Sequence, residues 1–315
     1  MPTICYTPRQ FKPRTMRLIN LCIDIIEEYE DDGLDLTLRQ LYYQLVARDV
    51  IPNTQRSYNR LGDIVNNARM AGLIDWASIE DRTRFIRRGM YDTDPQRSLT
   101  YAADSYVLDH WRLMDTRVEV WIEKDALIGV IQPICRTMHL PHFSCRGYVS
   151  QSEMWTAAQR IIERHDGAEH HRGASQKTVI LHLGDHDPSG IDMSRDIRDR
   201  LTLFCTDPDD GELLAEFEVH RIALNMAQIR EHNPPPNPAK ITDSRATVYI
   251  ERFGPSSWEL DAMEPRTMQA LIRSEVSRHV DRRLWDAVSA QQVHERAVLA
   301  EIAHRLPEVQ EHLGI

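Results

Sequence analysis

The sequence predicts an α/β protein in two parts, a helical N-terminal third followed by a parallel sheet covered by helices. Three observations carry this. Apolar residues recur at helical spacing through roughly the first seventy positions. From about residue 115, short β-rich runs alternate with helical patterns, which is the signature of βαβ units. The 315 residues exceed one average domain and fall short of three, and we place the two parts at 1–110 and 111–315.

From Thr15 to Tyr29, the residues Met16, Ile19, Cys22, Ile23 and Ile26 share one helical stripe, and the acidic run that follows ends at Gly33. Thr37 is the N-cap of a second helix, in which Leu38, Leu41, Tyr42, Leu45 and Val46 form one apolar stripe. After a turn at Ile51-Pro52-Asn53, a third helix runs from about Thr54 to Met70 and carries Arg56, Asn59, Arg60, Asn66, Asn67 and Arg69. Three short helices with an Arg/Asn-rich third one resemble a helix-turn-helix or winged-helix module.

Beyond residue 115, Val118 to Ile122 is a strand, and Leu127, Val130, Ile131 and Ile134 mark a helix. His142 to Cys145 is a short strand with Gly147 in the turn after it, and a helix follows through Met154, Trp155, Ala158 and Ile161. Thr178 to Leu183 is a buried strand, Gly184 to Gly190 a loop, and Met193 to Leu203 a helix. A further strand is expected at Val219 to Leu224. The prolines of His232 to Lys240 mark an exposed loop or hinge, Thr247 to Phe253 is strand-like, and the C-terminal end is helical.

Composition narrows the function classes. Hydrophobic residues make up 42% and charged residues 27%, and no apolar run approaches a membrane span or a secretory signal. A cytoplasmic protein without a membrane partner is therefore expected. Cys5, Cys22, Cys135, Cys145 and Cys205 include no C-x-x-C pair and read as reduced thiols, and His165, His170 and His171 fall in a polar loop. A net charge of -10 argues against nucleic acid until its distribution is read. Residues 1 to 100 hold 14 Lys/Arg against 14 Asp/Glu, and the remainder 24 against 34, so the acidic excess lies C-terminal. Arg82, Arg84, Arg87 and Arg88, with Arg56 and Arg60, are candidates to track a DNA backbone, the alternative being a solvated charged face.

Ligands of parallel α/β sheets bind beyond the carboxyl ends of the strands. Two of these ends are acidic. Glu123 closes one strand, and Asp185 with Asp187 closes another, offering hard oxygen ligands suited to magnesium. A D-x-D-x-x-G string alone is also ordinary turn chemistry, and Glu123 is what that chemistry does not explain.

The strings WIEKDAL (from Trp121), CRGYVS (from Cys145) and LHLGDHDPSGID (from Leu181) give the order strand-Glu, strand-Gly, strand-DxD. That order resembles the Toprim domain, and more narrowly the Toprim of the DNA topoisomerase VI A subunit and its relative, the meiotic double-strand-break protein. There a Glu-Lys pair follows the first strand and a basic-Gly-Tyr triplet the second, matched here by Glu123-Lys124 and Arg146-Gly147-Tyr148. The resemblance implies Mg2+ held by Glu123, Asp185 and Asp187, with Lys124 at the phosphate. Asp192 is a further candidate, although an Asp in a first helical turn is also favoured by the helix dipole.

Upstream, Arg39-Gln40-Leu41-Tyr42-Tyr43 resembles the Arg-x-x-Tyr-Tyr pattern of the winged-helix domain preceding that Toprim, whose second tyrosine is the nucleophile. Periodicity separates the pair independently: Tyr42 lies on the apolar stripe and belongs in the core, whereas Tyr43 falls off it. Arg39 and Tyr43 are four apart and share a helical face, where the Arg would bind the attacked phosphate and favour the phenolate. An ordinary aromatic pair is the alternative.

The resemblance spans approximately residues 35 to 275, including Trp258 to Pro265, which is similar to an acidic Glu-Leu-Asp-Ala-Leu element of the family. The chain most resembles the short, mini-A-like members. It implies a homodimer on double-stranded DNA in which the tyrosine of one copy meets the metal site of the other, each cutting one strand and leaving a 5′-phosphotyrosyl link. Glu123 would return a proton on resealing. No Gly-rich nucleotide loop is present, so a GHKL-type ATPase would be a separate subunit. Two other readings stay open: a Toprim nuclease that hydrolyses DNA with Tyr43 structural, and a non-catalytic DNA-binding protein.

Overall fold

The computed structural model describes residues 3–34, 36–76, 78–79, 94–166, 175–239 and 242–314. Its first helices form where capping chemistry and apolar spacing agree. Pro13 opens α1 (Pro13–Glu30), which buries Ile19, Cys22, Ile25, Ile26 and Tyr29. Thr37 caps α2 (Leu38–Ala47): its hydroxyl accepts from the Gln40 N–H, and the Gln40 side chain accepts from the Thr37 N–H at 2.8 Å. Thr54 caps α3 (Gln55–Met70) through the Ser57 N–H at 3.2 Å. These helices bury a common core that includes Ile19, Leu41, Leu45, Leu61 and Val65. Next, α4 (Pro95–Ser105) packs along α11 (Arg282–His304).

Four parallel strands in the order β2-β1-β3-β4 form the second part: β1 (Thr116–Ile122), β2 (His142–Ser144), β3 (Lys177–Leu183) and β4 (Phe217–Ala223). They are connected by α5 (Ile128–Thr137), α6 (Gln151–His165) and α7 (Pro188–Phe204), and α8 (Met226–His232) follows β4. Val118, Val120 and Ile122 pack toward α5 and α10 (Pro265–Ser277), against Ile131 and Ile272. Trp121 and Ile180 pack the opposite way, against Met154, Ile161 and Ile197 of α6 and α7. Covering on both faces accounts for the near-continuous apolar runs of β1 and β3.

Glu119 interrupts that pattern inside β1. Its carboxylate accepts from Trp121 Nε1 at 2.9 Å and from Arg160 Nη2 at 2.9 Å, and it pairs with the buried Arg164. Burial disfavours the charge, but Arg160 and Arg164 outweigh it and hold the carboxyl down at about 2. Glu119→Ala removes the carboxylate that pairs with the buried Arg164 and is expected to cost about 3–5 kcal/mol of unfolding free energy. The stability contributed by Glu119 is fully present above the unfolded carboxyl value of about 4.3. It is lost as pH falls through about 2. Denaturant titrations of wild type and variant from pH 6 to 2 check both statements; an unchanged midpoint at pH 6 would refute the first.

Strand order positions the site. With Ile122 opposite Leu183, β1 and β3 are neighbours, yet α5 leaves β1 to one face while α6 and α7 cover the other. The winding reverses between these two strands, and ligands of open α/β sheets bind at such a reversal. Glu123 and Gly184 are the residues that follow them.

Two expectations change. Thr247 to Phe253 is not a strand but lies in α9 (Ala246–Phe253). Its β-branched and aromatic residues suggested a strand, yet Ala246, Tyr249 and Phe253 fall on one helical face. The two rings pack on His186 with centroids at 5.5 and 4.7 Å, so tertiary contact overrides propensity. The proline-rich stretch is more than an exposed loop: within it β5 (Asn237–Pro238) pairs antiparallel with β6 (Ser256–Ser257). Among the described residues, no helix is long and apolar enough to cross a membrane.

Candidate active site

Glu123 follows β1, and Asp185 comes two residues after β3. The Asp185 N–H donates to Glu123 Oε2 at 2.8 Å, which ties the two strand ends together. Asp185 Oδ1 accepts from the Leu260 N–H at 2.7 Å. Asp187 is the N-cap of α7, its Oδ1 accepting from the Gly190 N–H at 2.6 Å. Two glycines make room for this path. A Cβ on Gly184 would stand 2.9 Å from Glu123 Oε2, and one on Gly190 only 2.2 Å from the Asp185 carbonyl oxygen.

Sequence reasoning did not place Glu259 and Asp261 in the site. The His186 and Trp258 backbones bridge each other through hydrogen bonds of 2.8 and 2.9 Å, and this carries the segment after β6 against the acidic loop. Lys124 Nζ then lies 3.0 Å from Asp185 Oδ2, 3.1 Å from Glu259 Oε2 and 2.5 Å from Asp261 Oδ2. Arg39, from the helical part, pairs with Glu259 and lies 3.7 Å from Asp261. Trp258 to Pro265 was recognisable as an acidic element, but no spacing connects Glu259 to an arginine 220 residues away.

Burial, and then the Asp185 charge, push Glu123 up to about 7, and burial raises Asp185 as well. Burial works against the Lys124 charge, but Asp185, Asp261 and Glu259 keep the ammonium above its usual range. Glu259 stays below the usual carboxylate range, since Lys124 and Arg39 outweigh its burial. When all are ionised, Arg39, Lys124 and Arg221 give three positive charges against five from Glu123, Asp185, Asp187, Glu259 and Asp261, a deficit of two.

That deficit and the all-oxygen donor set fit Mg2+. Asp261 Oδ1 is also buried with no hydrogen-bond partner among the described residues, an acceptor left over for a cation or its water. The expected convergence of the carboxylates is incomplete, and no three metal-binding side chains are pre-assembled among the described residues. Glu123 Oε2 and Asp187 Oδ1 are taken by backbone N–H groups, and Lys124 takes Asp185 Oδ2. Beside Asp185, Lys124 also pairs with Glu259 and Asp261.

Tyr42 is core, as expected, with its hydroxyl donating to Asn53 Oδ1 at 3.0 Å. Tyr43 departs from expectation. It is only 4% exposed, a member of the core that the N-terminal helices bury, with Asn237 of β5 and Glu259 beside it in the cleft that it lines. Burial, and then the Glu259 charge, push its phenol up to about 12, against a hydrogen bond from the Asn237 side chain. Arg39 lies over the ring at 5.8 Å, but its charge is engaged by Glu259 and Asp261, so the phenol stays protonated.

Tyr43, Asp185 and Asp187 nevertheless line one cleft within a single chain, whereas the resemblance implies a tyrosine of one copy at the metal site of the other. A cleft of about 340 Å³ is lined by Arg39, Tyr43, Asn237, Asp185, Asp187 and Glu259. A second, of about 450 Å³, is lined by Arg39, Glu123, Lys124, Arg146, Asp185 and Asp261. Arg39, Asp185 and Glu259 border both. Arg56 and Arg60 are exposed on α3, while Arg82, Arg84, Arg87 and Arg88 lie outside the described residues, as do His170 and His171. Asp192 stands apart from the carboxylates, held by Tyr148 Oη at 2.7 Å, Arg195 at 2.7 Å and Arg245 at 2.8 Å. Comparison with protein-family models and with curated protein sequences gives no match.

Proposed function

We propose that the chain breaks DNA strands by transesterification, with Tyr43 attacking a backbone phosphate beside an acidic Mg2+ site. The observation that carries this reading is the shared cleft, in which Arg39 and Tyr43 line the same space as Asp185 and Asp187. In this reading α1 to α3 are the winged-helix part and the parallel sheet is the Toprim part, as the motifs suggest. Glu123, Asp185 and Asp187 would hold the ion, which when bound supplies charge stabilisation to the phosphoryl group being transferred.

The remaining chemistry belongs to the chain. Arg39 exchanges Glu259 for a phosphate oxygen, a charge-assisted and geometrically similar partner. The bond from Tyr43 Oη to phosphorus forms as the P–O3′ bond breaks. The phenolic proton passes to water, and the 3′ oxygen takes one up from water, leaving a free hydroxyl and a 5′-phosphotyrosyl link. As the motifs suggest, Glu123 would return a proton on resealing. Arg56, Arg60 and the Arg82 to Arg88 cluster track the duplex, two copies cut its two strands, and a separate GHKL-type ATPase is a candidate partner.

One observation favours a second reading. Tyr43 is buried and its phenol is raised to about 12, as suits a structural tyrosine beside a site where water hydrolyses the phosphodiester. Plasmid DNA incubated with the protein and Mg2+, then quenched with detergent, tests the proposal. Broken DNA carrying covalently bound protein is expected; intact plasmid at every Mg2+ concentration would refute both readings.

A further inference from the structure

We infer that Arg221 is a positioning residue for the acidic site: through two successive peptide planes its guanidinium sets where Glu123 and Asp185 stand, and hence how tightly a divalent cation binds. This rests on the metal-site reading above.

Arg221 lies on β4 opposite His182, and one step later the register shifts so that Leu183 pairs with Ala223. A bulge of this kind re-aims a side chain. Here the side chain reaches the loop after β3. Nη2 donates to the Gly184 carbonyl at 2.9 Å and to the Asp185 carbonyl at 2.5 Å. Nη1 donates to the Gly190 carbonyl at 2.9 Å and to Ser194 Oγ at 3.1 Å, and Nε and Nη2 reach the Leu224 carbonyl at 3.3 and 3.2 Å. The exits of β3 and β4 and the first turns of α7 thus converge on one planar fork of donors, a geometry that arginine alone supplies.

A trans peptide is planar, with its C=O and N–H pointing in opposite directions. The Gly184 carbonyl held by Arg221 shares its plane with the Asp185 N–H, which donates to Glu123 Oε2 at 2.8 Å. The Asp185 carbonyl, also held by Arg221, shares the next plane with the His186 N–H, which donates to the Trp258 carbonyl at 2.8 Å. Each plane is therefore fixed at both ends, and the Asp185 side chain leaves from the Cα between them. The same two planes orient Glu123 and anchor the segment that carries Glu259 and Asp261. Burial lowers the Arg221 guanidinium to about 10, with Glu123, Asp185 and Asp187 opposing the fall, so it remains charged at neutral pH and offsets their mutual repulsion.

Mn2+ binding by calorimetry, with the Tm in EDTA as a separate reading, tests this on wild type and Arg221→Lys. Lysine keeps the charge but loses the fork, so Kd is expected to rise by about 10- to 100-fold, as for other residues that orient metal ligands. A lowered Tm with the wild-type Kd would make Arg221 merely structural and overturn the inference. If the lysine variant does not fold, Ser194→Ala decides, because it removes one Nη1 acceptor and keeps the guanidinium. An increase in Kd of about threefold is expected there, and an unchanged Kd overturns the inference. Wild-type protein that binds no Mn2+ at millimolar concentration would instead overturn the metal-site reading itself.

Discussion

Tyr43→Phe is expected to abolish DNA cleavage, by a factor on the order of 10³ or more, because it removes the proposed nucleophile and leaves the rest of the side chain in place. The substitution deletes one oxygen and leaves the ring against Arg39. Asn237 loses a partner, at a cost of about 1 kcal/mol, so Tm should fall by only a few degrees. Tyr42 cannot take over, since its hydroxyl is committed to Asn53 and Thr54. The pH profile gives a second reading of the same residue. A phenol pushed up to about 12 is protonated at neutral pH, and its reactive phenolate becomes more abundant as pH rises toward that value. Wild-type cleavage is therefore expected to increase from pH 7 to 9. Undiminished cleavage by the Phe variant would assign the reaction to hydrolysis.

Asp185→Asn is expected to remove Mg2+-dependent cleavage by about 10³-fold, the equivalent of roughly 4 kcal/mol of transition-state stabilisation. Stability should scarcely follow. The asparagine oxygen still accepts from the Leu260 N–H, and Lys124 keeps Glu259 and Asp261. Burial raises Asp185, so its ionised form is costly in the absence of a cation, and a neutral amide avoids that cost. A Tm within about 4 °C of wild type, with cleavage lost and DNA affinity retained, is the expected combination. Lost affinity as well would point to a site that only binds DNA.

The main lines of the fold were legible because β1 and β3 are buried on both faces and read as apolar runs, and because Thr37 and Thr54 cap their helices through local hydrogen bonds. Glu123, Asp185 and Asp187 were legible from the rule that α/β sheets bind ligands at strand ends. The rest depends on contacts distant in sequence. A single stripe on α2 reports one face of the helix, so it could not show that Tyr43, off that stripe, also joins the core and sits beside Asn237 and Glu259. Glu119 and Arg221 look like ordinary polar positions of a strand, and only partners distant in sequence show one paired with Arg160 and Arg164 of α6 and the other gathering carbonyls. Thr247 to Phe253 misleads for the same reason, since the contact that makes it helical is with His186.

The most direct measurement is the identity of the residue that carries the broken strand. Wild-type protein incubated with DNA and Mg2+, quenched with detergent and digested with nuclease and protease, is expected to yield one nucleotide-linked peptide containing Tyr43, absent from Tyr43→Phe and from samples treated with EDTA. Cleaved DNA with free 5′-phosphate ends and no modified peptide would contradict the covalent mechanism.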